Sequence, residues 1–231
     1  ADDGLQHYAM QRDIEWIVVD SARGFGNRQL LPTGFLREPM SRLKESTVIY
    51  HEKLDEQSKS QQLTKKKKTL SMHLAPDDLN LLLADELIAN SSATIDSAQQ
   101  APRMGSTVHA VSGIGYPNRF FETLKTLGFE IIEHPYPDHY DFSLLELLQY
   151  TEHPIVVTSK DAVKIKALWS QQNLQQLSDT FGETQHNQDY YQLAARLWVL
   201  PVTAELSSAC YQVLDQQLKA LGIGYSDIAK G

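Results

Sequence analysis

Asp2 and Asp3 stand side by side in the run Asp2-Asp3-Gly4-Leu5-Gln6-His7. Adjacent carboxylates point to opposite faces along a strand, but at a strand end both can turn to one side. There one can meet a hard cation directly and the other through water. Mg²⁺ takes one or two carboxylates and fills its shell with water and substrate phosphate oxygens. The spacing fits that chemistry, and it equally fits a solvated acidic terminus. Arg37 lies in the run Leu36-Arg37-Glu38-Pro39 and Arg42 follows it. A guanidinium forks onto phosphate oxygens, and Gly24 and Gly26 upstream permit close backbone approach. A turn with surface arginines has the same composition.

Three further positions group by their context. Gly113-Ile114-Gly115 follows an apolar run and precedes a helical pattern, the setting of a phosphate-cradling turn. The third glycine of the dinucleotide pattern is missing, and a plain tight strand-to-helix turn also fits. His139, in Pro137-Asp138-His139-Tyr140, follows the next apolar run, and a histidine there can tune a carboxylate or touch a phosphate. Lys160, in Thr158-Ser159-Lys160-Asp161, can reach an anionic ligand, while Asp161 suits a helix cap. His109 and His134 lie on or beside strands and read as structural.

Composition bounds these options. The chain has 231 residues, with 21 Lys and Arg against 29 Asp and Glu, a formal charge of −8. That balance argues against nucleic acid as a partner. One cysteine, Cys210, excludes a disulfide framework and a cysteine zinc site. Apolar runs are too short to cross a bilayer. The first residues carry no signal-peptide pattern and no initiator Met, so a preceding segment is expected. Gly-x-x-x-x-Gly-Lys-Ser/Thr, Gly-x-Ser-x-Gly and His-Glu-x-x-His are all absent from the sequence.

The elements that must position these residues follow from periodicity. Residues 14–19 read as a strand buried on both faces, residues 47–50 as a second strand and residues 70–74 as an exposed one. Residues 21–46 form a long Gly-, Pro- and Arg-rich loop. Residues 52–69 are polar and end in Lys65 to Lys68, a solvated insertion or a basic patch for an anionic membrane. Pro76-Asp77 predicts a helix over 77–90, and residues 91–106 read as a linker. Then strands at 107–111, 129–132, 155–158 and 197–200 alternate with helices at 118–127, 143–149 and 161–169, with Gly128 as a stop signal. That rhythm means βαβ units and a parallel sheet. Residues 170–189 read as a polar connection. A last helix is expected over 204–221, with Leu206, Cys210, Leu214, Leu218 and Leu221 in one stripe.

Seven segments in this order resemble the tetraacyldisaccharide 4′-kinase family, the lipid A 4′-kinases of Gram-negative bacteria. They are DDGLQHY at 2–8, the strand ending in Asp20, GFGNRQLLPTGFLREP at 24–39, VHAVSGIGYPNRFF at 108–121, HPYPDHYDFS at 134–143, VTSKDAVKI at 157–165 and WVLPVTAEL at 198–206. The resemblance implies ATP-dependent phosphorylation of the 4′-hydroxyl of a tetraacyldisaccharide 1-phosphate, at the cytoplasmic face of the inner membrane. It implies a P-loop NTPase-type parallel sheet domain, incomplete here, and a smaller Rossmann-like α/β domain joined to it by a β-ribbon linker. Residues 1–51 would be the rear part of the kinase domain and 52–106 insertion and linker. Residues 107–200 would be the second domain, and 201–231 a helix packing back on the first. Asp2 and Asp3 match the family's acidic pair serving Mg²⁺-ATP and catalysis, and His139 matches the histidine of its Pro-Asp-His motif. Arg37, Gly113, Gly115, Arg119 and Lys160 are the substrate-side candidates. The family's Walker A loop and membrane helix precede the acidic pair and lie outside this sequence, so this chain alone is expected to turn over little. Phe35, Tyr116 and Ser159 stand where the family usually has Pro, Asn and Glu. A non-catalytic nucleotide- or sugar-binding module and an inactive fragment are the alternatives.

Overall fold

The computed structural model describes residues 4–52, 70–84, 101–169 and 183–223. The chain divides into two compact units, residues 1–75 with 204–231, and residues 76–203. Both are α/β.

The first unit is built on a sheet of order β1-β2-β3-β9, comprising β1 (Trp16–Asp20), β2 (Thr47–His51), β3 (Ser71–Pro76) and β9 (Val202–Leu206). β1 and β2 run parallel, from Trp16 opposite Thr47 to Asp20 opposite His51. β2 and β3 are parallel, with Tyr50 opposite Ser71. The Ser207 amide donates to the Ser71 carbonyl at 2.8 Å and the Asp77 amide to the Pro201 carbonyl at 3.0 Å, so β3 and β9 form an antiparallel ribbon. Val19 and Ile49 are buried, but Val18 is 55% exposed. The expectation of a first strand covered on both faces therefore fails at Val18. β1 has one neighbouring strand among the described residues, and an edge strand covers less of itself.

The last helix, Ser208–Ala220, starts later than its apolar stripe predicts, because Val202–Leu206 is taken up as β9 beside β3. Cys210 is fully buried on this helix. Gln217 ties the helix to the sheet. Its Oε1 accepts from Trp16 Nε1 at 2.7 Å, and its Nε2 donates to Thr47 Oγ1 at 2.8 Å. Gln217→Ala strands the indole N–H in a half-buried site and is expected to cost about 1–2 kcal/mol, read from the urea midpoint of the chain.

The second unit carries a sheet of order β4-β8-β7-β5-β6, comprising β4 (Asn80–Leu81), β5 (Thr107–Ser112), β6 (Glu130–Pro135), β7 (Ile155–Thr158) and β8 (Leu197–Leu200). All pairings are parallel except β4 on β8. Val108, Val111, Ile155, Val156, Val157 and Leu197 are fully buried, as continuous apolar runs in a parallel sheet demand. Among the described residues the α-helices are, in chain order, α1 (Asn118–Thr126), α2 (Leu144–Leu148), α3 (Ser159–Leu168), α4 (Glu183–Ala194) and, in the first unit, α5 (Ser208–Ala220). Phe120, Phe121 and Leu124 of α1, Ile165 of α3 and Leu193 of α4 close over the sheet.

The local signals explain the boundaries. Gly128 ends α1 at φ +86°, a left-handed conformation that glycine adopts without a Cβ penalty. Ser143 and Glu146 cap α2 reciprocally. Two expectations change. Residues 77–81 are not helical: Asn80 and Leu81 pair with Val199 and Trp198 at the open edge of β8. The supposed polar connection contains α4 from Glu183 onward. Residues 85–90 and the Lys65 to Lys68 run lie outside the described residues.

Candidate active site

β5 lies between β6 and β7, so the chain leaves β5 for one side and later returns to the other. This reversal is a topological switch point. In open α/β sheets ligands bind beyond the carboxyl ends of the strands at such a point. Gly113 follows β5, and Ser159, Lys160 and Asp161 follow β7.

A buried carboxyl group organises this edge. Asp161 is fully buried, and its Oδ2 accepts the Gly113 amide at 3.0 Å and the Thr158 hydroxyl at 2.8 Å. The Asp161 amide in turn donates to Thr158 Oγ1 at 3.2 Å, which caps α3. Asp161 Oδ1 and Ser112 Oγ are buried without a hydrogen-bond partner among the described residues. A Cβ on Gly113 would come within 3.1 Å of the Phe142 ring and 3.3 Å of Asp161 Oδ1, so a side chain there would crowd both. The first amide of the Gly-x-Gly turn is thus already given to a carboxylate. Gly113 supplies the turn and the approach rather than a phosphate donor.

The Pro137-Asp138-His139-Tyr140 loop hangs from the same turn. The His139 amide is shared between the Gly113 carbonyl at 3.2 Å and Asp138 Oδ1 at 3.0 Å. These bonds hold His139 at φ +59°, a conformation that costs a non-glycine residue about 1–2 kcal/mol. Its side chain is exposed, with Nε2 3.8 Å from Asp138 Oδ2. Lys160 Nζ sits 3.5 Å from Asp138 Oδ1. Partial desolvation opposes ionisation of Asp138, but the Lys160 and His139 charges outweigh it and hold the carboxyl below the usual carboxylate range. Lys164 Nζ fixes the Tyr140 carbonyl at 2.9 Å. A Cβ on Gly115 would lie 3.1 Å from Asp138 Oδ2.

Gly113, Gly115, His139 and Lys160 therefore meet at one edge of the second unit. Arg119 lies in the first turn of α1 in that unit. Arg37 belongs to the first unit, is exposed, and makes no ion pair among the described residues. Asp2 and Asp3 lie outside the described residues. Arg42 is not available for a phosphate: it pairs with Glu15 at 2.8 Å and Glu45 at 3.2 Å. Glu15 also binds Arg12 at 3.3 Å and Ser46. Asp138 and Asp161 are candidate-site residues that spacing alone does not assign to the site; Asp161 reads in the sequence as the cap of α3, a role that Thr158 takes.

His109 and His134 pair at 3.0 Å through Nδ1 and Nε2, and His109 Nε2 meets the Thr151 carbonyl at 3.0 Å. A carbonyl only accepts, so His109 carries its proton on Nε2 and takes the His134 N–H at Nδ1. The rings of Tyr150 and His153 pack against them. Burial, then the neighbouring His109, push the His134 pKa below the ordinary 6.5. The unfolded chain then binds more protons than the folded one at mildly acid pH. Stability is full above about 6.5 and falls as pH drops from there toward the folded pKa. Melting temperature is expected to decline across that window, and His134→Gln to flatten the decline.

Among the described residues no group of three or more His, Cys, Asp and Glu side chains could hold a metal. No described helix is long and apolar enough to cross a membrane. Paired carboxylates at Asp2 and Asp3 are hard oxygen donors of the kind Mg²⁺ accepts.

Comparison with known proteins joins these observations. The sequence model described as tetraacyldisaccharide-1-P 4′-kinase matches residues 1–219. A tetraacyldisaccharide 4′-kinase of Psychrobacter arcticus is 60% identical over 98% of this chain and 59% of its own length. One from Psychrobacter cryohalolentis is 61% identical over the same shares, and one from Alkalilimnicola ehrlichii is 35% identical over 96% of this chain and 54% of its own length. The chain thus spans about three-fifths of the length of the two Psychrobacter relatives. No solved structure matches it. On the match across nearly the whole chain, it belongs to the tetraacyldisaccharide-1-phosphate 4′-kinase family.

Proposed function

We propose that the whole protein moves the γ-phosphoryl group of ATP to the 4′-hydroxyl of a tetraacyldisaccharide 1-phosphate, a precursor of lipid A. We place this at the cytoplasmic face of a Gram-negative inner membrane. The observation that carries the reading is the family match over residues 1–219, with 60% identity to a relative of that name. The transfer forms a bond between the sugar oxygen and the γ-phosphorus, breaks the bond to the β–γ bridging oxygen and releases ADP.

Phosphoryl transfer asks a protein mainly for positioning and charge neutralisation. Asp2 and Asp3 are the residues that would hold Mg²⁺, which neutralises phosphate charge when bound. Arg37 offers the substrate phosphate a guanidinium that makes no ion pair among the described residues. His139 supports the catalytic carboxylate from its exposed position, and Lys160, Arg119 and the Gly113–Gly115 turn shape the substrate side. Residues 1–51 act as the rear part of the kinase domain, and the β3/β9 ribbon as the linker to the second domain. The test is label transfer from γ-labelled ATP to the tetraacyldisaccharide 1-phosphate by the whole protein with Mg²⁺. Labelled lipid bisphosphate supports the reading, and ATP hydrolysis without labelled lipid contradicts it.

A further inference from the structure

Pro137 to Tyr140 form a tight turn, closed by the Tyr140 amide on the Pro137 carbonyl at 3.2 Å. Its third residue, His139, sits at φ +59°. Glycine or asparagine fills that place in turns that need a positive φ, because other side chains strain the backbone there. A histidine kept in such a slot points to a chemical task for its imidazole, and the surroundings must hold it there. Both flanks are fixed. Upstream, the Tyr136 amide donates to the Ser112 carbonyl at 2.8 Å. Downstream, Lys164 of α3 holds the Tyr140 carbonyl at 2.9 Å, and the Tyr140 hydroxyl donates to Glu146. The Tyr136 and Tyr140 rings pack with centroids 4.5 Å apart.

At His139 itself the amide has two acceptors, the Gly113 carbonyl at 3.2 Å and Asp138 Oδ1 at 3.0 Å. The carboxylate is the nearer and, being charged, the stronger of the two. Asp138 Oδ1 also meets Lys160 Nζ of α3 at 3.5 Å, and Oδ2 lies 3.8 Å from His139 Nε2. Partial desolvation opposes ionisation of Asp138, but the Lys160 and His139 charges outweigh it, so the acceptor stays charged at neutral pH. One side chain thus reaches the His139 backbone, its imidazole and the helix that anchors the loop.

We propose that Asp138 is a positioning residue, whose carboxylate holds His139 in the left-handed conformation and so sets the direction of its imidazole. This rests on the function proposed above, in which His139 supports the catalytic carboxylate, and adds the group that keeps His139 in place. Asp138 then acts through His139 alone.

Steady-state kinetics of label transfer by the whole protein test it. Asp138→Ala is expected to lower kcat about tenfold, with KM for ATP and for the lipid within about twofold of the parent, as for an interaction felt only in the transition state. Asp138→Asn keeps an oxygen for the His139 amide and is expected to return kcat to within about threefold of the parent. In a His139→Ala background, adding Asp138→Ala is expected to change kcat by less than about twofold, because residues that act as one unit are not additive. Unchanged kcat in Asp138→Ala, a raised KM at constant kcat, Asn no better than Ala, or the full loss persisting without His139 overturns the proposal. The backbone is read separately, with no kinase assay, by NMR of protein carrying isotope-labelled histidine. The His139 Cα and Cβ shifts are expected to leave their left-handed values in Asp138→Ala and to keep them in Asp138→Asn; shifts unmoved in Asp138→Ala contradict the proposal. If the parent labels no lipid, the function proposed above fails, and these shifts alone decide the role of Asp138.

Discussion

Asp3→Ala in the whole protein lowers kcat for phosphoryl transfer by about 10²–10³, with the melting temperature nearly unchanged. The magnitude is that of removing one group aimed at charge developing in a transition state, roughly 3–4 kcal/mol of barrier. Asp3 would share the metal with Asp2, and Mg²⁺ keeps few protein ligands. Losing one should also raise the Mg²⁺ concentration needed for half-maximal rate. His139→Ala is expected to lower kcat less steeply, because on the proposed reading its imidazole would support a carboxylate rather than hold the metal. Steady-state kinetics at varied Mg²⁺ check both. Near-normal turnover by Asp3→Ala removes the metal role from the acidic pair.

Asp161→Ala is the largest expected structural loss. The substitution strands the Gly113 amide and the Thr158 hydroxyl, both bound to Asp161 Oδ2 in a site closed to water. It also removes a polar group from the first turn of α3. Each of the two stranded donors costs about 1–3 kcal/mol, so destabilisation of about 2–6 kcal/mol follows, measured by denaturant titration of the chain. Asp161→Asn keeps a carbonyl oxygen for both donors and is expected to cost half as much or less. Because the Gly113 carbonyl holds the His139 amide, the Ala substitution should also shift the His139 amide resonance. A stable Asp161→Ala variant with an unmoved His139 signal would show that the buried carboxyl does not organise this edge.

The parts of the fold legible in the sequence are those where local pattern and tertiary burial agree. β5, β7 and β8 are short apolar runs because both faces are covered, and Gly128 and Ser143 mark helix ends through backbone chemistry that acts locally. The misread elements are decided by partners far along the chain. Asn80 and Leu81 become β4 only because β8 offers an edge, and residues 204–206, expected to open the last helix, instead end β9 beside β3. Val18 carries a core-like side chain on a strand with one neighbouring strand among the described residues. At the site, the motifs around Gly113, His139 and Lys160 were visible as strand-end residues. Their convergence was not, since Gly113 and Asp161 lie 48 positions apart and meet through a single carboxylate. Arg42 looked like Arg37 by type, and only Glu15 and Glu45 distinguish them.

The most direct test of the account is the position of the new phosphate. The whole protein, Mg²⁺-ATP and the disaccharide 1-phosphate are incubated together, and the lipid product is examined by phosphorus NMR with proton correlation. The account predicts a second phosphomonoester coupled to the 4′ proton of the distal sugar, formed in step with ADP. A phosphate at any other oxygen, or lipid recovered with its single phosphate while ATP is consumed, contradicts it.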